Sequence, residues 1–343
     1  MKCILPFVCL VFLFSCIERI DLEVEEPDKV VVVDGIFSSG NGEKVIRLSK
    51  TLQVNSQINL PLENARVFVE DDQGQRIFFS EHSAGVYKSM SKGKSDHTYR
   101  LFAELPDGRT ITSNYQAVPD SFSIAEINTV DTLATFLNES GATQRQKSLV
   151  YFAVAKKESV ENDFFLRFRY ETAYQVLESK CGPFHITKAC YFYNDERPFA
   201  INLIEINKYD SVVEFETMVL RRKIDFRLSE LFGLDLRLLS YNKAEFEYWQ
   251  NLKKLFDQEG NINDVNPARL IGNITADDGT EILGQFAVVG ESRKIKLVGN
   301  ADFPTSRLPF CGFAGNRPFP LPDECCDCLG LNGATLLRPD FWP

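Results

Sequence analysis

Histidine and methionine are scarce, at three copies each in 343 residues, and basic charge falls short of acidic. Thirty-eight Lys and Arg against 48 Asp and Glu leave a formal charge of −10. A surface of that sign repels phosphate backbones, so nucleic acid is not an expected partner. The chain also lacks a phosphate-cradling P-loop and a dinucleotide fingerprint. Gly290-Glu291-Ser292-Arg293-Lys294 is without the second glycine of a nucleophile elbow. His82, His97 and His185 each stand apart from any recognisable partner motif. No catalytic residue, cofactor or bound metal is therefore expected, because a site needs convergent groups. Past residue 16, no apolar run approaches the roughly 20 residues that span a bilayer.

The start of the chain is different. Lys2 precedes an apolar run over residues 4–14, about the length of a secretory h-region. The run ends in Leu13-Phe14-Ser15-Cys16, which resembles a bacterial lipobox. That resemblance implies a lipoprotein signal peptide over residues 1–15 and lipidation of Cys16. Acyl chains would then anchor the protein in a membrane, each buried methylene contributing about 0.8 kcal/mol. Residues 16–28 are strongly acidic and read as a solvated tether. Acidic residues just after such a cysteine also resemble the export signal that sends Bacteroidota lipoproteins to the outer face of the outer membrane.

Cysteine usage fits export. Cys3 and Cys9 leave with the signal peptide and Cys16 takes lipid. Cys181, Cys190, Cys311, Cys325, Cys326 and Cys328 remain as an even set of disulfide candidates. Four thiolates from the last four could bind zinc tetrahedrally. Their spacing lacks the two-residue gap of zinc knuckles, however, and an oxidising compartment favours disulfides. Adjacent Cys325 and Cys326 must then take different partners, and Cys181 with Cys190 is the simplest small loop.

Hydrophobic patterning predicts a mostly β protein. Residues 29–120 read as short strands with turns about every ten residues, an immunoglobulin-like β-sandwich. Residues 30–37 form a near-continuous apolar strand, with a bulge expected at Asp34-Gly35. Residues 121–147 read as a polar connector. Strand patterns resume over residues 148–343, where Phe164, Leu166, Phe168 and Tyr170 alternate with Arg167, Arg169 and Glu171. Numerous strands without crossover helices imply a larger antiparallel sandwich or barrel. It includes one amphipathic helix over residues 242–258 and a Cys-rich C-terminal segment. Asn242 and Glu245 suit a capping box, Phe246, Trp249, Leu252, Leu255 and Phe256 form an apolar stripe, and Gly260 is placed to end the helix. Residues 260–266 are rich in oxygen ligands but lack EF-hand spacing and read as a turn. Asp277-Asp278-Gly279 reads as a hairpin turn.

Several landmarks occur together in order: the lipobox, Val30-Val31-Val32-Val33-Asp34-Gly35, Ile271-Gly272-Asn273-Ile274 and Leu283-Gly284-Gln285-Phe286. The series closes with Cys325-Cys326-Asp327-Cys328, then Pro339-Asp340-Phe341-Trp342. In that order they resemble the Bacteroidota outer-membrane lipoprotein family known only as domain of unknown function 4249. Its members are often encoded beside TonB-dependent receptors. The resemblance implies an outer-membrane accessory binding component of an uptake system, with such a receptor as partner. It carries over no catalytic residue. A structural envelope scaffold is the rival expectation, and a hydrolase with a site assembled only in three dimensions is a third. The apolar C-terminal residues Phe341 and Trp342 are expected to pack against the second half.

Overall fold

A computed structural model describes residues 29–51, 60–137, 140–159, 162–195, 202–208, 212–257, 270–299, 302, 310–312 and 320–342. The protein is mostly β. Its main sheet path is open, with different strands at its two ends, so the barrel alternative does not form.

Alternation builds the first half. Strands β1 (Val31–Ser38), β2 (Lys44–Lys50), β3 (Leu60–Pro61), β4 (Arg66–Asp71) and β5 (Arg76–Ser83) are followed by β6 (Val86–Ser89), β7 (Thr98–Glu104), β8 (Thr110–Ser113) and β9 (Gln116–Ala117). Val31, Val33, Phe37, Ile46, Leu48, Val67, Val69, Tyr99, Leu101 and Ala103 fall on the inner side and form one buried core. The strands fold over this core in a sandwich-like arrangement, running β8-β7-β4-β5-β6-β2-β1. β1 pairs with β2 in unbroken register from Val31↔Lys50 to Ile36↔Val45, so the expected bulge is absent. Gly35 serves packing instead: a Cβ there would lie 3.1 Å from the Phe286 ring and 3.2 Å from Ile46.

The residues read as a connector correct the sequence reading most. β10 (Ser123–Leu137) and β11 (Thr143–Lys157) form a long hairpin. Only Ile124 and Ile127 of β10 enter the core, while Val130, Leu133 and Leu137 are exposed. A strand solvated along most of its length shows no clean alternation, which is why it reads as a linker. β11 pairs with β15 (Val213–Lys223) to complete a three-stranded sheet. Against it packs a second sheet containing β12 (Phe164–Leu177), β13 (Ala189–Asp195), β14 (Asn202–Ile206) and β16 (Leu231–Tyr241). Leu149, Tyr151 and Ala153 meet Phe164, Leu166, Phe168, Phe232, Leu234, Leu236 and Leu238 between the sheets.

The C-terminal part returns to the first half. β17 (Ile274–Ala276) pairs with β8, and β18 (Ile282–Gly299) pairs with β1 from Val31↔Ile282 to Ser38↔Val289. That pairing is parallel; the two strands are joined by the whole second half, so no tight turn forces them to run opposite ways. From Gly290 onward β18 pairs antiparallel with β16. Residues 282–289 and 290–299 are therefore parts of one strand shared by both halves. Gly290 sits at the change of partner, where a Cβ would lie 2.3 Å from Pro119 O.

The helix α1 (Lys243–Asp257) lies over the outer face where β1, β18, β16 and β12 adjoin. Phe246 is buried against Leu239, Tyr241, Ala287 and Val289, and Trp249 packs beside Tyr241. The capping box does not form: Asn242 donates its side-chain amide to Ala117 O at 3.1 Å, tying the helix start to the first half. Phe256 is exposed, so only the first turns of the expected stripe dock. Gly260 and the oxygen-rich turn at 260–266 lie outside the described residues, as do Cys16 and the whole of residues 1–28.

Candidate functional site

Cys181, Cys190, Cys311, Cys325, Cys326 and Cys328 are all paired. Cys181 joins Cys326, Cys190 joins Cys328, and Cys311 joins Cys325. The neighbours Cys325 and Cys326 do take different partners. The small Cys181–Cys190 loop is not formed; both instead reach about 140 residues onward. The reason lies in β12 and β13, whose pairing places Cys190 opposite Val176, inside a buried cluster with Phe192 and Cys328. Closing loops of this length constrains the unfolded chain by about 4–5 kcal/mol for a bridge taken singly. The result is a stapled cap at the end of the second sheet.

A buried carboxylate organises the cap. The Glu178 side chain is fully enclosed. Its Oε2 accepts the Lys188 amide at 2.8 Å and faces His185 Nε2 at 3.2 Å, while Oε1 accepts the Cys328 amide at 3.0 Å. Lys188 Nζ lies 3.4 Å from Oε1 and bridges to Asp327 at 3.0 Å. Burial pushes the Glu178 carboxyl up, but the Lys188 and Cys328 amides, the Lys188 ammonium and the His185 ring outweigh it and hold the carboxyl below its ordinary value. Glu178 thus joins the loop after β12 to the Cys-rich turn, alongside the disulfides.

The chain terminus closes the other side. β19 (Ala334–Thr335) pairs with β13 at Tyr191 and Phe192, and Tyr193 donates its hydroxyl to Leu337 O at 2.9 Å. Trp342 meets Tyr191 edge-on at 6.0 Å between ring centres. Gly233 makes room for both terminal aromatics: a Cβ there would lie 2.7 Å from the rings of Phe341 and Trp342. The expected docking of these residues is what the geometry contains.

On this rigid base the cap presents apolar side chains to solvent. Phe184 is 95% exposed and Ile186 84%, both on the loop between β12 and β13. Leu177, Tyr193, Leu336 and Leu337 are exposed elsewhere on the cap. Leaving one large apolar side chain in water forgoes about 1.5–3 kcal/mol of burial. Two of them on a loop fixed by covalent bridges suit a contact surface. Glu178, Lys188, Phe184 and Ile186 were not singled out from sequence. A charged residue and two apolar ones in a loop between cysteines was the only available signal.

Other groups have internal partners. Arg169, Arg237 and Arg293 lie side by side across β12, β16 and β18. Buried Asp235 takes up this charge, contacting Arg293 at 2.7 Å and Arg237 at 3.2 Å, and Glu291 lies 3.8 Å from Arg237. Ser292 Oγ accepts the Ile124 amide at 3.0 Å. His82 is exposed on β5, and His97 contacts Asp72. Asp277-Asp278-Gly279 makes a turn in which Gly279 donates to Ala276 O at 3.2 Å. That turn does not close a hairpin, because β17 pairs with β8. Among the described residues no helix is long and apolar enough to cross a membrane.

The fold and the cap define a mostly β, disulfide-stapled protein with exposed apolar side chains on its cap. The chain belongs to the family described as "Domain of unknown function (DUF4249)", whose model matches residues 17–295. The match ends before Cys311, Cys325, Cys326 and Cys328, so these partners of the cap's disulfides lie beyond it. No curated protein matches the chain.

Proposed function

We propose that the protein is an outer-membrane lipoprotein, anchored through lipid on Cys16, that acts as an accessory binding component of a TonB-dependent uptake system. It docks a receptor with the apolar surface of its cap. One observation carries this reading: Phe184 and Ile186 stand in solvent on a loop held by Cys181–Cys326, Cys190–Cys328 and the Glu178 clamp. A surface pre-ordered in this way loses little entropy on docking, which favours association. The lipobox-like Leu13-Phe14-Ser15-Cys16 and the acidic residues after it supply the reason for a membrane address. The apolar patch also suits a structural envelope scaffold.

The test is affinity purification from solubilised outer membranes. Wild-type protein is expected to bring down a β-barrel receptor, and the double variant Phe184→Ser, Ile186→Ser to lose it with an unchanged melting temperature. Recovery of structural envelope proteins alone favours the scaffold. Cys16→Ala should move the protein to the soluble fraction; full retention in the membrane contradicts the anchor.

A further inference from the structure

His97, left without a partner motif by the sequence, is brought by the fold against two aspartates 25 and 26 residues earlier. β4 ends at Asp71, Asp72 follows in the turn to β5, and His97 immediately precedes β7, the neighbour of β4. One ligand atom from each of the three lies within 4.8 Å of the other two. Asp71 is 4% exposed and His97 9%, while Asp72 opens to solvent.

Ordinary turn chemistry explains half of this arrangement. Asp71 Oδ1 accepts the Gln73 and Gln75 amides at 3.0 and 2.8 Å, a common way to fix a β-turn. His97 Nδ1 meets Asp72 Oδ1 at 2.8 Å. It leaves Asp71 Oδ2 unexplained. That oxygen belongs to a side chain 95% buried, points at His97 Nδ1 from 3.8 Å, and has no hydrogen-bond donor among the described residues. The oxygen is not sealed off from solvent, so it can take a ligand that enters from the open Asp72 side. Charge is unbalanced here too, because Asp96 Oδ1 lies 3.9 Å from His97 Nε2. Among the described residues no lysine or arginine pairs with Asp71, Asp72 or Asp96.

We propose that Asp71 Oδ2, Asp72 Oδ1 and His97 Nδ1 bind a divalent transition-metal ion of the zinc class. Zinc bonds of about 2.0–2.2 Å to nitrogen and oxygen place neighbouring donors roughly 3.3–3.6 Å apart, so shifts of about an ångström gather the three. Water completes the coordination on the open Asp72 side. An imidazole in the set favours zinc over calcium or magnesium, which take oxygen ligands. Nδ1 coordinates through its lone pair, so the proton it now shares with Asp72 moves by way of solvent to Nε2. Asp96 is placed to accept that N–H, the carboxylate–histidine–metal relation found around zinc. The ion would staple the β4–β5 turn to the start of β7 through Asp71, Asp72 and His97. This site is independent of the cap.

The experiment is calorimetric titration of the metal-stripped full chain with zinc, calcium and magnesium chlorides, with thermal unfolding in parallel. Zinc is expected to bind at one ion per chain and raise the melting temperature. Asp72→Asn, at a solvent-facing position, should keep the metal-free melting temperature while losing zinc binding. Asp96→Asn should weaken binding about 10–100-fold, as outer-shell changes do. His97→Gln should abolish binding and His185→Gln leave it intact. Absence of zinc binding overturns the proposal, as does binding that survives both Asp72→Asn and His97→Gln, or a preference for calcium or magnesium.

Discussion

Glu178 shows how one residue can hold a surface in place. Its carboxylate receives two backbone amides from opposite sides of the cap, one from each of the segments that the disulfides join. Replacing it with glutamine turns one acceptor into a donor facing an amide N–H. Glu178→Gln is therefore expected to cost about 1–3 kcal/mol, the penalty for a buried unsatisfied group. The folded carboxyl titrates below its ordinary value of about 4.3. Its contribution is thus fully present above that value and lost as pH falls through the folded pKa. Thermal unfolding between pH 7 and pH 3 should show a steeper acid-side loss for wild type than for Glu178→Gln; parallel curves contradict the clamp. At this scale the sequence was half legible. The even set of six cysteines announced disulfides, but their pairing depended on Cys190 facing inward beside Cys328. Nothing local marked Glu178, whose partners lie ten and 150 residues away.

Elements were legible where one face is dry. β2 and β7 alternate cleanly because each turns one side to a core. β10 escaped because water reaches most of both its faces. The helix was found from its stripe, while its start is fixed by a tertiary contact to Ala117 that no capping rule contains. The tail was legible for a related reason: Phe341 and Trp342 together have too much apolar surface to leave in water, although Leu336 and Leu337 stay exposed. Its docking against Gly233 and Tyr191 makes a specific prediction. Deleting residues 341–343 should lower stability by roughly 1–3 kcal/mol, since both aromatics are half-buried. Calorimetric melting measures this directly, and an unchanged transition would mean that the tail does not dock.

At the scale of the whole molecule, β18 makes the two sandwich-like halves mechanically continuous. One strand lies beside β1 for its first eight residues and beside β16 for the rest. The polar network of Asp235, Arg237, Glu291 and Arg293 lies along the second part of that strand and its neighbour. A molecule built this way holds its cap through a continuous sheet, with the family-matched body at residues 17–295 as the support. The central claim is that the cap surface meets a receptor at the membrane. Its most direct measurement is site-specific photocrosslinking in intact cells, with the reactive side chain at position 184 and a control at position 82. The exposed loop position 184 should yield a discrete adduct with an outer-membrane β-barrel receptor, and position 82 none. Adducts of equal yield at both positions, or none at 184, would contradict the account.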